Sequence, residues 1–534
     1  MYDYVVVGGG SAGCALTARL SENENARILL IEAGPPDRNP DIHRPVCFYK
    51  MTSGPLTWGY ETAPSPQRNG HVMALPQARV LGGGSSINAM VFTRGSPKDY
   101  DEWASEEGCD GWAFKDVLPY FRRAEGNNRL ADDYHGTKGP LSASDQISPH
   151  PLSRAFVRAA QEAGLPYNAD FNGAAQEGAG IYQVTQRDGK RSSTAVGYLH
   201  PAMKRGNIDL ITDAEVHRIL IENGRAIGVA YFARGQMHEA RAEQEVIICS
   251  GAIGSPKLLL HSGIGPADEL KAVDIDPTHD LPGVGKNLQD HIDVYSMHEL
   301  NGPHSYDGHK RVSKMLWAGL EYMLFGSGPV TSNLAEAGGF WYADADERSP
   351  DIQFHFLPGA GLEEGVPPVP SGYGCTINSC HLRPRSRGSV TLRSSDPAMP
   401  PVIDPNYWAE AYDVEMSIRG LEKTREIARQ SSLATFIRRE HMPGPEIKTK
   451  EDLEAYAMRF GKTDYHPVGT CKMGVDEMAV VDPQCRVRGL DGLRVADSSI
   501  MPRLISSNTN AASIMIGEKA SDMIRGNRGT EKPA

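Results

Sequence analysis

Apolar residues gather into short unbroken runs that end on glycine or on an acid. Tyr4-Val5-Val6-Val7 stops at Gly8, Ile28-Leu29-Leu30-Ile31 stops at Glu32, Val246-Ile247-Ile248-Cys249 leads into Ser250-Gly251, and Leu493-Arg494-Val495-Ala496 ends on Asp497. Runs with no polar alternation predict strands buried on both faces, as in a parallel sheet. Helix-like stretches follow three of them, ending at Arg19-Leu20, covering 252–261, and covering 511–524. A second pattern, strict alternation, marks Ile352-Gln353-Phe354-His355-Phe356 and Gly388-Ser389-Val390-Thr391-Leu392-Arg393, and predicts half-buried strands of a separate, mainly antiparallel sheet with covering helices. The chain therefore reads as α/β, its parallel-sheet domain assembled from the discontinuous pieces 1–150, 191–295 and 463–525. The second domain takes 151–190 and 296–462, and the polar stretch 526–534 is expected to be a disordered tail.

Glycines give the first strand its chemistry. In Gly8-Gly9-Gly10-Ser11-Ala12-Gly13, Gly8 permits the tight turn, Gly10 lets backbone approach a pyrophosphate, and Gly13 lets helix and strand pack closely. Glu32, closing the next strand, is placed to hold ribose hydroxyls, and the order strand, glycines, helix, strand, acid is the dinucleotide arrangement. The same residues fit a G-x-S-x-G elbow with Ser11 as a hydrolase nucleophile, but an elbow follows several earlier strands and has no use for Glu32. A second glycine stretch, Gly82-Gly83-Gly84-Ser85-Ser86, exposes many backbone N–H groups without side-chain bulk. A nicotinamide enzyme rarely needs it, whereas a longer flavin dinucleotide does.

Composition narrows the class. At 534 residues the chain should form at least two domains. Its 67 acidic against 55 basic residues, net −12, disfavour nucleic acid as a partner. Eight scattered cysteines without C-x-x-C pairs argue against a disulfide framework and a zinc site, and no metal is expected. The first strand begins within three residues of Met1, so no leader is expected and the location is expected to be cytoplasmic. The apolar segment Met315 to Phe325 is too short for the about 20 residues that span a bilayer; an amphipathic surface helix there stays open.

At 78–101 and 251–265 the sequence resembles, position for position, both signature patterns of the glucose–methanol–choline (GMC) flavoprotein oxidoreductases. The likeness extends to Arg191-Ser192-Ser193-Thr194-Ala195, the connector Leu281 to His291, Arg387-Gly388 with Asp404-Pro405-Asn406-Tyr407, and the terminal block. It looks like the choline-dehydrogenase-type branch, and 172–199 resembles bacterial L-sorbose dehydrogenases. The resemblance implies FAD and oxidation of an alcohol carbon by hydride transfer, the substrate being a primary hydroxyl of a sugar, a ketose such as L-sorbose, or a polyol. Choline-type or aromatic alcohols are the alternative within the class; a cyanohydrin lyase with non-redox FAD, or a flavin-binding protein without activity, lie outside it. The electron acceptor (quinone, dye-like carrier or oxygen) is left open.

By the resemblance, His466 is the base that takes the hydroxyl proton, a role suited to imidazole near neutral pH, and Asn510 is the amide that holds the substrate oxygen. FAD contacts are implied at Gly8, Gly10, Ser11, Gly13, Glu32, Ala33, Arg79, Gly83, Gly84, Ser85, Asn88, Ala89, Met90, Val216, Asp497 and Asn508. Some relatives attach FAD through a histidine just before the loop asparagine. Here that residue is Ile87, so non-covalent FAD is expected, checked by flavin appearing in the supernatant after acid precipitation. Asn333, Glu336 and His355 are candidate substrate residues. A quaternary-amine substrate would call for an aromatic cage, for which Trp317, Tyr322, Trp341 and Tyr342 are available.

Overall fold

The computed structural model describes residues 1–360 and 367–526, so the expected disordered tail lies, but for Gly526, outside the described residues. Four of the apolar runs become the parallel core of one sheet. Strand Tyr2–Val7 lies between Ile28–Ile31 and the end of Gln236–Ile248, with Ile208–Ile211 outside the former and Leu493–Val495 outside the latter, all parallel. The first half of Gln236–Ile248 bends away into an antiparallel meander with Arg225–Ala233 and Ala214–Glu222. Brought from positions hundreds of residues apart, these strands bury Val5, Val6, Leu30, Ile247 and Val495 almost completely. Burial on that scale is the main reason the discontinuous pieces stay together.

Chain direction places the site. Helices Ser11–Leu20, Gly251–His261 and Asn510–Ile524 begin where parallel strands end, or just beyond, so their N-termini gather along the carboxyl edge of the sheet. The first turn needs glycine twice. Gly8 has φ +101°, and a Cβ on Gly13 would sit 1.9 Å from Gly8 O.

The second sheet is antiparallel throughout, in the order Ile437–Met442, Ile292–Leu300, Gly374–His381, Ile352–Leu357, Ala337–Trp341, Gly178–Ile181. Helix Pro151–Glu162 covers one face, stacking Phe156 on Phe356 at 4.8 Å between centroids. Ile292–Leu300 runs across the expected boundary at 295/296. The alternating stretch at 388–393 is not part of this sheet; Ser389–Thr391 pairs with Val402–Asp404 in a two-stranded ribbon packed near helix Gly251–His261.

Among the described residues, Asp132, His135 and Asp170 bring possible metal ligands within 4.8 Å of one another. Both ring nitrogens of His135 are taken, by Glu125 at 2.9 Å and Asp170 at 3.0 Å. Burial opposes its charge but the two carboxylates prevail, raising its pKa to about 9. A doubly protonated imidazole has no lone pair for a metal.

Candidate active site

One long cavity, with about 2180 Å³ of empty space counted out to its open mouth, runs from the sheet edge to the second domain. Gly8, Gly10, Ser11, Glu32, Ala33, Gly83, Gly84, Asn88, Ala89, Met90, Val216, Asp497, Asn508 and Asn510 line it. Gly13, Arg79 and Ser85 do not. Gly13 is consumed by packing, Arg79 lies over the Trp58 ring at 5.0 Å, and Ser85 donates to Gly82 O at 2.6 Å while accepting from Thr194 N. These three support the cradle from behind.

The lining fits a dinucleotide with a flat end. A Cβ on Gly10 would have no protein atom nearer than 3.9 Å, and one on Gly84 or Gly251 none within 4 Å, so side chains there would enter the cavity. Helices Ser11–Leu20 and Asn510–Ile524 lack a side-chain N-cap bond, leaving their N-terminal dipoles for an anion such as a pyrophosphate, whereas the start of Gly251–His261 is met by the Asp497 carboxylate. The two glycine loops touch: a Cβ on Gly83 would fall 2.6 Å from Gly10 Cα. Glu32 accepts Gly9 N and Gly34 N, both at 2.8 Å, and burial raises its pKa to about 7. Asp497 accepts Gly251 N at 2.9 Å and Ser499 N at 2.8 Å, tying the last strand to two helix starts. Ile87 lines the cavity and offers no nucleophile.

His466 closes the other end. Its backbone N donates to Asp290 Oδ1 at 2.8 Å, and Asp290 also accepts from Thr463 Oγ1 at 2.6 Å and from the Tyr407 hydroxyl. Its ring is fixed by a relay. His291 Nε2 lies 3.1 Å from Leu382 O, which can only accept, so His291 donates there and its Nδ1 carries the lone pair. That Nδ1 is 3.0 Å from His466 Nδ1, which must then carry hydrogen, and the His466 lone pair falls on Nε2. Burial holds His291 well below the ordinary imidazole value, so it is neutral in this relay.

The amide facing that lone pair is Asn508, whose Nδ2 lies 3.2 Å from His466 Nε2. Its Oδ1 accepts from Thr93 Oγ1 and Gln353 Nε2, both at 3.0 Å, which fixes the amide orientation. Asn510, expected in this position, instead accepts from Ser11 Oγ at 2.8 Å. Helical geometry explains the correction: Asn510 is the first residue of its helix and bonds back to the first glycine loop, while Asn508 lies in the bend that precedes the helix. The same bond removes the hydrolase reading, since Ser11 meets an amide instead of a base.

The substrate candidates divide. His355 lines the cavity, its Nε2 3.2 Å from Gln353 Nε2. Asn333 and Glu336 do not line it. Asn333 donates to Ala89 O at 2.7 Å and so braces the second glycine loop. Glu336 is fully buried and accepts four hydrogen bonds, from Tyr306 (2.7 Å), Ser332 (2.6 Å), His150 N (2.6 Å) and Ser153 (2.7 Å). Polar alternation on a strand edge could not separate these roles. Glu336→Ala would leave four buried donors unpaired at about 1–3 kcal/mol each, so we expect a loss of at least about 3 kcal/mol, read as a lowered melting temperature, with KM unchanged. A changed KM at wild-type stability would contradict this.

Sequence reasoning missed His291, Asp290 and Asp464. The first two end the connector from Leu281, and Asp464 stands two residues before His466, but nothing local says that 291 and 466 meet. Asp464 lies 3.4 Å from His466 Nδ1 and lines the cavity with Lys462, Asn378 and Tyr465. Burial pushes the His466 pKa down, against an upward pull from Asp464, and the result lies below the usual value. None of Trp317, Tyr322, Trp341 and Tyr342 lines the cavity.

Comparison with known proteins bears on these observations. A family model described as GMC oxidoreductase matches residues 2–293, and a second with that description matches 384–517. The alcohol dehydrogenase (acceptor) of Pseudomonas putida is 42% identical over 529 residues, 98% of this chain and 96% of that protein. Human mitochondrial choline dehydrogenase is 42% identical over 536 residues, 98% and 90% of the two chains. Among solved structures, pyridoxine 4-oxidase from Mesorbium loti superposes with a TM-score of 0.89 at 31% identity, covering 100% of both chains.

Proposed function

This chain belongs to the GMC oxidoreductase family and oxidises an alcohol with FAD; on that premise we propose that its substrate is an uncharged molecule bearing a primary hydroxyl, of the polyol or ketose kind. We assign His466 as the base and Asn508, in place of Asn510, as the amide that holds the hydroxyl oxygen. The observation that carries the reading is the His466 Nε2 lone pair facing the Asn508 amide at 3.2 Å. A hydroxyl entering between them can accept from Asn508 Nδ2 and donate to His466 Nε2. Bound FAD supplies the acceptor for the hydride that leaves the carbinol carbon. The chain's own part is to take the proton at Nε2, keep the ring in that tautomer through His291, and hold the oxygen so that the C–H bond has one direction. Gly10, Gly84, Glu32 and Asp497 would hold the dinucleotide.

Neutral polyhydroxy substrates are favoured by what else lines this end. Asn378 is buried, donates to Asp293 Oδ2 at 2.7 Å, and leaves its Oδ1 without a hydrogen-bond partner among the described residues. An acceptor of that kind suits a second substrate hydroxyl. None of Trp317, Tyr322, Trp341 and Tyr342 enters the lining, so they do not build the aromatic cage that a quaternary amine would call for. L-sorbose, suggested by the sequence, is one member of the class. A panel of L-sorbose, sorbitol, glycerol, benzyl alcohol, butanol and choline with an artificial acceptor tests the assignment. We expect the highest kcat/KM with a neutral polyhydroxy compound; a preference for choline of more than about tenfold, 1.4 kcal/mol, would refute it.

The base must be neutral to accept a proton, so kcat/KM should rise with pH through the His466 pKa and level off above it, the limb lying below the ordinary 6.5 of imidazole. Asp464 favours the imidazolium. Asp464→Asn should move the limb to lower pH, whereas an upward move would contradict the assignment.

A further inference from the structure

Helix Val312–Phe325 turns its apolar side outward. Of its fourteen residues only Ala318 is buried, while Val312, Leu316, Trp317, Leu320, Met323 and Leu324 are 40–76% exposed. At about 100° per residue these six fall on one side of the helix. The other side, where Met315 and Phe325 are also exposed, holds it to the protein through Ala318, the Tyr322 hydroxyl on Gly189 O at 3.3 Å, and Glu321, which accepts from Ser327 Oγ at 3.3 Å. A helix packed on a water-facing surface shows the reverse arrangement, and contiguous exposed apolar patches mark contact sites.

Charge at the two ends differs. Lys310, Arg311 and Lys314 cluster at the N-terminal end, all exposed; Lys310 reaches Asp307 at 3.0 Å and Arg311 reaches the Tyr373 hydroxyl at 3.1 Å without being covered. The C-terminal end carries Met323, Leu324 and Phe325. The single acid of the helix, Glu321, is turned inward. An antiparallel pairing of two copies would set the cations against Met-Leu-Phe, and a parallel pairing would set them against each other; neither supplies an anion. A plane of anionic headgroups over hydrocarbon supplies both partners at once.

Length and place agree. Fourteen residues make about 21 Å of helix, too short to span hydrocarbon about 30 Å thick, and no helix among the described residues is long and apolar enough to cross a membrane. The patch also connects to the cavity. The turn Pro329–Thr331 packs against this helix on one side and against the turn Pro45–Met51 on the other, and Phe48 and Thr52 line the cavity.

We propose that helix Val312–Phe325 lays the enzyme on an anionic bilayer surface, its stripe in the acyl boundary, Trp317 at headgroup level and its basic end against phosphates. The overall charge of −12 opposes any general attraction to such a surface, so the contact must come from this element. The test is co-sedimentation of the FAD-loaded full chain with phosphatidylcholine vesicles, with and without about one-third phosphatidylglycerol. The wild type should partition to the phosphatidylglycerol vesicles at least tenfold more strongly than Leu316→Ser/Leu320→Ser/Met323→Ser. Arg311→Glu/Lys314→Glu should lose binding to the anionic vesicles in particular. Turnover with a water-soluble dye acceptor should be unchanged in both variants, which separates this proposal from the substrate assignment. Equal sedimentation of wild type and triple variant would overturn it. So would a dimer, seen by sedimentation velocity and abolished by the triple variant, with no vesicle binding.

Discussion

Replacing His466 with alanine is expected to lower kcat by about 10²–10⁴-fold, the usual contribution of a positioned base, or about 3–5 kcal/mol of barrier, with the flavin still bound. The ring's side-chain hydrogen-bond partners are His291 and Asn508, outside both glycine loops, so its loss leaves the dinucleotide cradle intact. The relay behind it predicts a graded series. His291→Ala removes the acceptor that fixes the His466 tautomer and should cost less than His466→Ala, since Asp464 remains 3.4 Å from the same Nδ1. Equal turnover in His466→Ala and wild type would remove the imidazole from the chemistry.

The second large effect concerns Gly10. Its backbone, φ −81° and ψ −162°, is open to any residue, and a Cβ there meets no protein atom within 3.9 Å. Gly10→Val should therefore fold normally yet fill the cavity where the pyrophosphate would approach helix Ser11–Leu20. We expect a colourless protein whose FAD affinity has fallen at least about 100-fold, roughly 2.7 kcal/mol, and whose melting curve without FAD matches that of wild-type apoprotein. Gly13→Val is the contrast. There a Cβ lands 1.9 Å from Gly8 O, and the protein itself should fail to fold. A yellow Gly10→Val protein would contradict the placement of the cofactor.

What could be read from the chain was local. Strand, glycines, helix and terminal acid lie within 32 residues, and both glycine loops carry their meaning in consecutive positions, so the nucleotide domain and its cofactor were legible. His466 was singled out because a whole-family pattern surrounds it. The amide beside it was misplaced by two residues. Asn508 and Asn510 flank one threonine at a helix start, and which of them faces the histidine depends on how the preceding bend enters the helix, information that spacing does not hold. Glu336 stands just before strand Ala337–Trp341 and His355 on the neighbouring strand Ile352–Leu357; one meets four donors and the other meets the cavity, a difference to which the start of helix Pro151–Glu162 contributes through His150 N and Ser153. His291 was invisible because its partner is 175 positions away. The exposed apolar helix was legible as a short amphipathic segment, but only the fold shows that its apolar side points outward.

Anaerobic mixing with a substrate from the panel reads alcohol oxidation and the part of His466 in it together. The yellow absorbance should bleach in the wild type, at a rate that falls by about 10²–10⁴-fold in His466→Ala while both proteins carry equal FAD. Bleaching at the same rate in both, or a flavin that no alcohol of the panel reduces, would contradict it.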